Sequence, residues 1–271
     1  MMASTIVKKQ QGAGAKGTIL WLPGWSMPDS VFDRLREQLP EFHHISADYK
    51  DADSPEKMLL LSETAAESNR SADGSFCDSN GFHGPLLIAG WSLGGILALK
   101  LAAKGCADGL VLFAATARFT RSKDEADRGW PDAYVRQMIK GLMNDRQVVE
   151  TKFRRNMFTE AEWDSNLGDS LPHNGSWTTP ALMAGLQLLR SEDCLPELPE
   201  IKCPVLLVHG TADTICPYGA ASELAASLPR AELAAVPGSG HAPFLGREAD
   251  IADKLRRWWD EHQNGCYSAS I

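Results

Sequence analysis

Ser92 lies in Gly90-Trp91-Ser92-Leu93-Gly94-Gly95, a G-x-S-x-G pattern directly after the apolar run Pro85 to Ala89 and before the helical stretch Ile96 to Lys104. A sharp strand-to-helix turn crowds its flanks. It therefore favours glycine two residues before and two after the serine, and it lifts the hydroxyl above the sheet. A phosphate loop would end in Lys-Ser/Thr or show G-x-G-x-x-G spacing, and neither is present. Ser92 is the candidate nucleophile, and at a helix N-terminus it has backbone donors and a favourable dipole close by.

A serine hydroxyl attacks well only when a base takes its proton. The chain offers His43, His44, His83, His173, His209, His241 and His262. His241 is selected by context: Gly238-Ser239-Gly240-His241-Ala242-Pro243-Phe244 follows the last β-rich run, and loops leaving the carboxyl ends of strands carry the sites of open α/β sheets. His43 and His44 are adjacent and would point to opposite faces of a strand, which argues against a shared metal. The acid that orients the base should also follow a strand. Asp213 is the one acid in the turn after Val205 to Val208, where an Asx-turn or a cap for a helix beginning near Pro217 would be its other use. An oxyanion formed at Ser92 would be met by the Leu93 N–H and by an N–H from the turn after the first buried strand, Trp21-Leu22-Pro23-Gly24-Trp25-Ser26, where Gly24 permits close approach and Trp25 is the candidate donor.

These residues need a frame. Short β-rich runs at Thr18 to Leu22, His44 to Ala47, Pro85 to Ala89, Gly109 to Ala114, Pro204 to Val208 and Ala231 to Val236 mostly precede helical patterns, which implies an α/β fold with a parallel sheet flanked by helices. From Ala117 to Glu200 there is no convincing strand. Asp132 to Met143 and Arg146 to Met157 have helical periodicity, and Thr179 offers an N-cap with Pro180 at the first position of a helix through Leu189. The expected organisation is a first core part over residues 1–116, an inserted helical cap over 117–200 and a second core part over 201–271. Ser68 to Gly84, rich in Ser, Asn, Asp and Gly, reads as a flexible surface loop. Ile251, Leu255, Trp258 and Trp259 share one face of a terminal helix expected to pack on the sheet.

Composition narrows the function. The 271 residues are 44% hydrophobic and 23% charged, ordinary values for a globular chain. A net charge of −8 argues against a nucleic-acid or anionic-membrane partner. Met1 to Gly17 has no apolar leader core and no stretch approaches a membrane span, so a cytoplasmic location is expected. Cys77, Cys106, Cys194, Cys203, Cys216 and Cys266 lack CxxC pairing and read as free thiols. The chemistry at Ser92 asks for no metal or cofactor.

The order Ser92, Asp213, His241 is that of the α/β-hydrolases. The chain resembles that superfamily from about Thr18 to Trp259. Within it, Gly90 to Gly95, Gly24-Trp25, Trp130-Pro131, Gly185-Leu186-Gln187-Leu188-Leu189 and Gly240 to Phe244 resemble landmarks of the pimeloyl-[acyl-carrier protein] methyl ester esterases of biotin synthesis. The resemblance implies triad roles for Ser92, Asp213 and His241, oxyanion roles for Trp25 and Leu93, and an acyl ester hydrolysed through an acyl-enzyme. Two departures stand out. Pro23-Gly24 replaces the usual His-Gly of the oxyanion turn, removing any hydrogen bond that His makes, and Asp48-Tyr49-Lys50-Asp51 replaces a glycine-containing turn. Small-ester, thioester or C–C bond hydrolysis fits the same triad, and a non-catalytic ligand receptor is the alternative from another class. Between residues 136 and 155 six basic residues, Arg136, Lys140, Arg146, Lys152, Arg154 and Arg155, face only Asp145 and Glu150. The resemblance implies that an acidic acyl-carrier protein docks there, its acyl ester passing Phe153 or Phe158 towards Ser92; a solvated helix face with paired charges is the other reading.

Ser92→Ala and His241→Ala should each lose roughly 10³ to 10⁶ in rate while staying folded, because the pair acts as a unit. Asp213→Asn should lose as much or somewhat less, through the wrong imidazole tautomer. Turnover of an activated acyl ester, measured beside the circular dichroism spectrum, checks this; near-normal turnover in folded Ser92→Ala removes the nucleophile.

Overall fold

The computed structural model describes residues 15–67, 76–77, 83–173 and 175–267. The chain runs through β1 (Thr18–Leu22), α1 (Asp33–Glu37), β2 (His43–Ser46), α2 (Pro55–Glu67), β3 (Phe76–Cys77), β4 (His83–Gly84), β5 (Leu86–Trp91), α3 (Leu93–Ala103) and β6 (Gly109–Phe113). Four helices follow, α4 (Asp132–Leu142), α5 (Arg146–Asn156), α6 (Glu160–Asp164) and α7 (Thr179–Ser191). The chain then returns to β7 (Val205–Gly210), α8 (Tyr218–Ser227), β8 (Ala231–Val236) and α9 (Glu248–Tyr267).

Six strands form one sheet in the order β2-β1-β5-β6-β7-β8, every neighbouring pair parallel. Every residue of β1, β5, β6 and β7 is buried. Strands buried on both faces need cover on both faces, which explains their continuous apolar runs. The edge strands β2 and β8 are only partly buried. Most of Ser68 to Gly84 lies outside the described residues; Phe76–Cys77 in its middle and His83–Gly84 at its end form the short antiparallel pair β3–β4.

The sequence boundaries shift where chemistry or tertiary contacts intervene. β5 and β7 run two residues past their expected ends, to Trp91 and Gly210, and so carry the chain to the carboxyl edge of the sheet. β2 occupies His43–Ser46 instead of His44 to Ala47. Thr178, not Thr179, caps α7: its hydroxyl accepts from the Ala181 N–H at 3.4 Å. The reason is tertiary, because the Thr178 N–H and hydroxyl both donate to the Lys50 carbonyl, at 2.8 and 3.0 Å. Ile251, Leu255, Trp258 and Trp259 of α9 are buried, and the last two rings pack over Gly109 at the start of β6.

The turn from β5 into α3 tolerates no side chains at its flanks. A Cβ on Gly94 would lie 2.0 Å from the Leu22 carbonyl oxygen, and one on Gly90 2.4 Å from the Gly94 oxygen. Backbone is not a neighbour that can step aside. Gly94→Ala should therefore lower stability by about 1–3 kcal/mol through overpacking. Gly105→Ala, at φ +75° with nothing within 4 Å of its added Cβ, should lose only about 1–2 kcal/mol from the left-handed backbone. Urea midpoints rank the two; a smaller loss in Gly94→Ala than in Gly105→Ala would contradict this account of the turn.

Candidate active site

Ser92 follows the last residue of β5 and caps α3 at φ 57°, ψ −115°, a sparsely populated conformation that persists only where its surroundings over-determine it. The Ser92 N–H donates to the Phe113 carbonyl at 3.0 Å, locking the turn to β6. The strain aims the side chain across the sheet edge, where Ser92 Oγ and His241 Nε2 stand 2.8 Å apart. His241 Nδ1 lies 2.8 Å from Asp213 Oδ2. The structure thus brings the three residues into one hydrogen-bonded line, with Ser92, Asp213 and His241 only 4%, 5% and 0% exposed.

The two oxygens of Asp213 have different partners. Oδ1 accepts the N–H groups of Ile215 and Cys216, at 2.8 and 3.0 Å, closing an Asx-type turn that leaves Oδ2 directed at the imidazole. His241 is gripped by its own backbone: its N–H donates to the Met157 carbonyl, and its carbonyl accepts from Trp91 Nε1, both at 2.7 Å. The variable residue of the G-x-S-x-G pattern therefore ties the turn of Ser92 to the loop of His241. That tie was invisible in the sequence.

Leu93 is the first residue of α3, so its N–H belongs to the four without an acceptor inside the helix. The turn carrying Trp25 is closed by the Met27 N–H on the Gly24 carbonyl, and a Cβ on Gly24 would lie 3.5 Å from Ser92 Cβ. Both candidate oxyanion residues thus flank the serine. The helices between β6 and β7 hold this turn: Trp25 Nε1 donates to the Leu182 carbonyl at 2.8 Å, and Trp177 Nε1 to the Met27 carbonyl at 2.9 Å. They hold the acid's turn too, through Trp130 Nε1 on the Thr214 carbonyl at 2.8 Å.

A cavity of about 730 Å³ opens between α4 and α5. Trp130, Tyr134, Met138, Val149 and Phe153 give it apolar walls, and Lys152 is its charged side chain. Phe153, in the cavity wall, stands edge-on to the Trp25 ring at 4.9 Å. Phe158 does not line the cavity; it packs on Trp163 at 5.3 Å.

The six basic residues do not form one docking face. Arg146 Nε donates to buried Glu150 at 2.6 Å, and the half-buried Arg154 guanidinium donates to the Pro172 carbonyl. Arg155 lies over the Trp163 ring, and Arg136 pairs with Asp132 at 3.0 Å. Lys140 and Lys152 are exposed. Among the described residues no group of His, Cys, Asp and Glu could hold a metal ion and no helix is long and apolar enough to cross a membrane. Cys194, Cys203 and Cys216 are free thiols; burial pushes the Cys194 thiol up to about 12.

The model of the alpha/beta hydrolase family matches residues 19–254. The chain belongs to the alpha/beta hydrolase family. A pimeloyl-[acyl-carrier protein] methyl ester esterase of Nitrosomonas europaea is 31% identical to this hydrolase over 237 residues, 84% of the chain and 89% of the relative. One of Aromatoleum aromaticum is 33% identical over 176 residues, 61% of the chain and 70% of the relative. An esterase from Exiguobacterium antarcticum has the same fold, with a TM-score of 0.72 at 21% identity over 92% of the hydrolase and 93% of that chain. So has a bromoperoxidase from Bacillus anthracis, with a TM-score of 0.73 at 14% identity over 91% and 93%. An esterase and a bromoperoxidase on one fold illustrate that the fold leaves the chemistry to the site.

His209 also borders the site, with no local pattern in the sequence to mark it. It is buried, donates from Nε2 to the Cys216 carbonyl at 2.7 Å and lies 3.4 Å from Asp213 Oδ2. Burial lowers its pKa from the usual imidazole value, against an opposing pull from Asp213. Below about pH 6.5 the unfolded chain binds a proton here that the folded hydrolase resists, so stability rises with pH through that window and falls on acidification. Half-buried His44 acts in the same direction. His209→Gln keeps a donor towards Cys216 without titrating. Its melting temperature should fall less than wild type between about pH 7.5 and 5.5; parallel profiles would contradict the assignment.

Proposed function

We propose that the hydrolase is a serine carboxylesterase whose nucleophile is Ser92, and that its substrate is an acyl ester carried by an acyl-carrier protein. The observation that carries the reading is the unbroken line Asp213 Oδ2, His241, Ser92 Oγ, with 2.8 Å at each junction. As Ser92 Oγ bonds to the ester carbonyl carbon, its proton passes to His241 Nε2, and Asp213 holds the Nδ1–H tautomer and stabilises the imidazolium. The carbonyl oxygen, now an oxyanion, is met by the N–H groups of Leu93 and Trp25. Collapse expels the alcohol, which takes its proton from His241, and a water activated by the same imidazole then releases the acid from Ser92.

The substrate class rests on what the similar esterases act on, as their name states, and on the insertion's chemistry. A methyl ester leaves as methanol, while the retained acyl group needs an apolar channel. The cavity between α4 and α5 is that channel, with Phe153 as the wall that moves aside. Lys152 meets an anionic group at its side. The helices of residues 117–200 act as the cap, and Arg136 and Lys140, both exposed on α4, face the acidic carrier.

The charge test belongs on these two residues, because Arg146 and Arg154 are committed to contacts inside the cap. Reversing Arg136 and Lys140 to Glu should slow turnover of a carrier-linked ester by roughly tenfold at low salt and less at high salt, since rim charges act on association. Turnover of a small free ester should be unchanged. Equal effects on both substrates would sink the carrier and leave a small free ester as the substrate.

A further inference from the structure

Among the described residues three carboxylates are buried: Asp213, Glu150 and Glu162. The first belongs to the triad. The other two sit on the inserted helices, and burying a carboxylate is costly unless it is paired and hydrogen-bonded. Glu150 Oε1 accepts the Ser26 hydroxyl at 2.5 Å, and Oε2 accepts Arg146 Nε at 2.6 Å. Ser26 directly follows Trp25, is buried, and has φ +65°. A non-glycine residue holds that backbone only where its surroundings insist on it. Pro23, one residue before Gly24, has no side-chain hydrogen bond to offer the turn. Glu150 supplies one from α5 instead.

Glu162 does the corresponding work at the base. It closes a capping box with Thr159 at the start of α6. The same carboxylate accepts the Ser239 hydroxyl at 2.9 Å and the Gly240 N–H at 3.2 Å through Oε1 and 3.0 Å through Oε2. These are the two residues before His241, whose own N–H is held by the Met157 carbonyl of the same segment.

We infer that Glu150 and Glu162 are positioning residues for the hydrolytic step: Glu150 fixes the oxyanion turn through Ser26, and Glu162 fixes the histidine loop through Ser239 and Gly240. This rests on the reading of Ser92, His241, Asp213 and Trp25 given above. The inserted helices then do more than enclose substrate. They carry part of the rigidity on which transition-state stabilisation depends, because donors must already be aimed when charge develops.

The experiment compares the mild variants Ser26→Ala and Ser239→Ala with Glu150→Gln, Glu150→Ala, Glu162→Gln and Glu162→Ala, with Glu160→Gln on the exposed side of α6 as control. Each is read by kcat and KM on a small acyl ester, by covalent labelling of Ser92 with a fluorophosphonate, and by the downfield proton resonance of His241 Nδ1–H. Ser26→Ala and Glu150→Ala should lose roughly 10- to 100-fold in kcat, short of the roughly 10²–10³ for losing an oxyanion donor outright, with KM within about twofold. Glu150→Gln, whose amide oxygen still accepts from Ser26, should recover most of that loss. Combining Ser26→Ala with Glu150→Ala should cost no more than the worse single change. Ser239→Ala and Glu162→Gln should slow labelling and shift or broaden the His241 resonance, which the Ser26 and Glu150 variants leave in place. Should Glu150→Ala or Glu162→Ala fail to fold, the serine variants decide. Wild-type kcat, labelling and resonance in folded Ser26→Ala and Ser239→Ala overturn the inference while leaving the catalytic reading intact. A wild-type chain that neither labels at Ser92 nor turns over any ester removes both.

Discussion

At the carboxyl edge of the sheet, the first turn of α3 and the last residue of β1 approach until backbone meets backbone. Gly94 lies under the Leu22 carbonyl with no room for a methyl group, and everything chemical is referenced to that contact. It sets how far Ser92 projects from the end of β5, and it brings the turn at Gly24 and Trp25 against the serine. It also fixes the start of α3, from which Leu93 offers its N–H. Packed interiors do not deform continuously. A contact with no slack can therefore transmit position from the sheet to a single hydroxyl, and the strained Ser92 backbone is its local cost.

What could be read beforehand was whatever local sterics or sheet topology dictates. The glycines around Ser92 announce a sharp turn because no other residue fits there, and Asp213 and His241 stand out because they follow β-rich runs in the order that the fold uses. The contacts that support them are nonlocal and leave little trace in sequence. Ser26 and Glu150 are 124 positions apart, and Trp91 and His241 150. Thr159-x-x-Glu162 is readable as a capping box, which would have placed the start of α6. Nothing in that pattern says that the same carboxylate also reaches the histidine loop. Thr178 and Thr179 are equivalent as letters, and Lys50, far off in the chain, chooses between them. Counting charge in the cap likewise missed that Arg146 and Arg154 point inward.

The insertion between β6 and β7 touches the turns that carry Trp25, Asp213 and His241. Trp25, Ser26 and Met27 bond to α7, α5 and Trp177; Thr214, beside the acid, receives Trp130 and donates from its hydroxyl to the Asn156 carbonyl at 3.1 Å. The histidine loop is held by Met157 and Glu162. One set of helices thus lines the cavity and braces the turns of Trp25, Asp213 and His241. Changes that retune the cavity will not leave the rate of the chemical step untouched, a coupling that distinguishes a braced insertion from a loosely hinged lid.

Ser92 and His241 are separated by 149 positions, yet their side chains meet. Loop closure over such a span is entropically expensive and is repaid only once the intervening strands and helices have docked. Helices such as α3 or α7 can begin to form from neighbours alone. The proton path cannot, since it exists only after β7 and β8 have joined the sheet and delivered the loop that carries the imidazole. Hydrolytic competence is therefore a late event on the folding route, and a partly folded chain with most of its helical content already in place would still be inert.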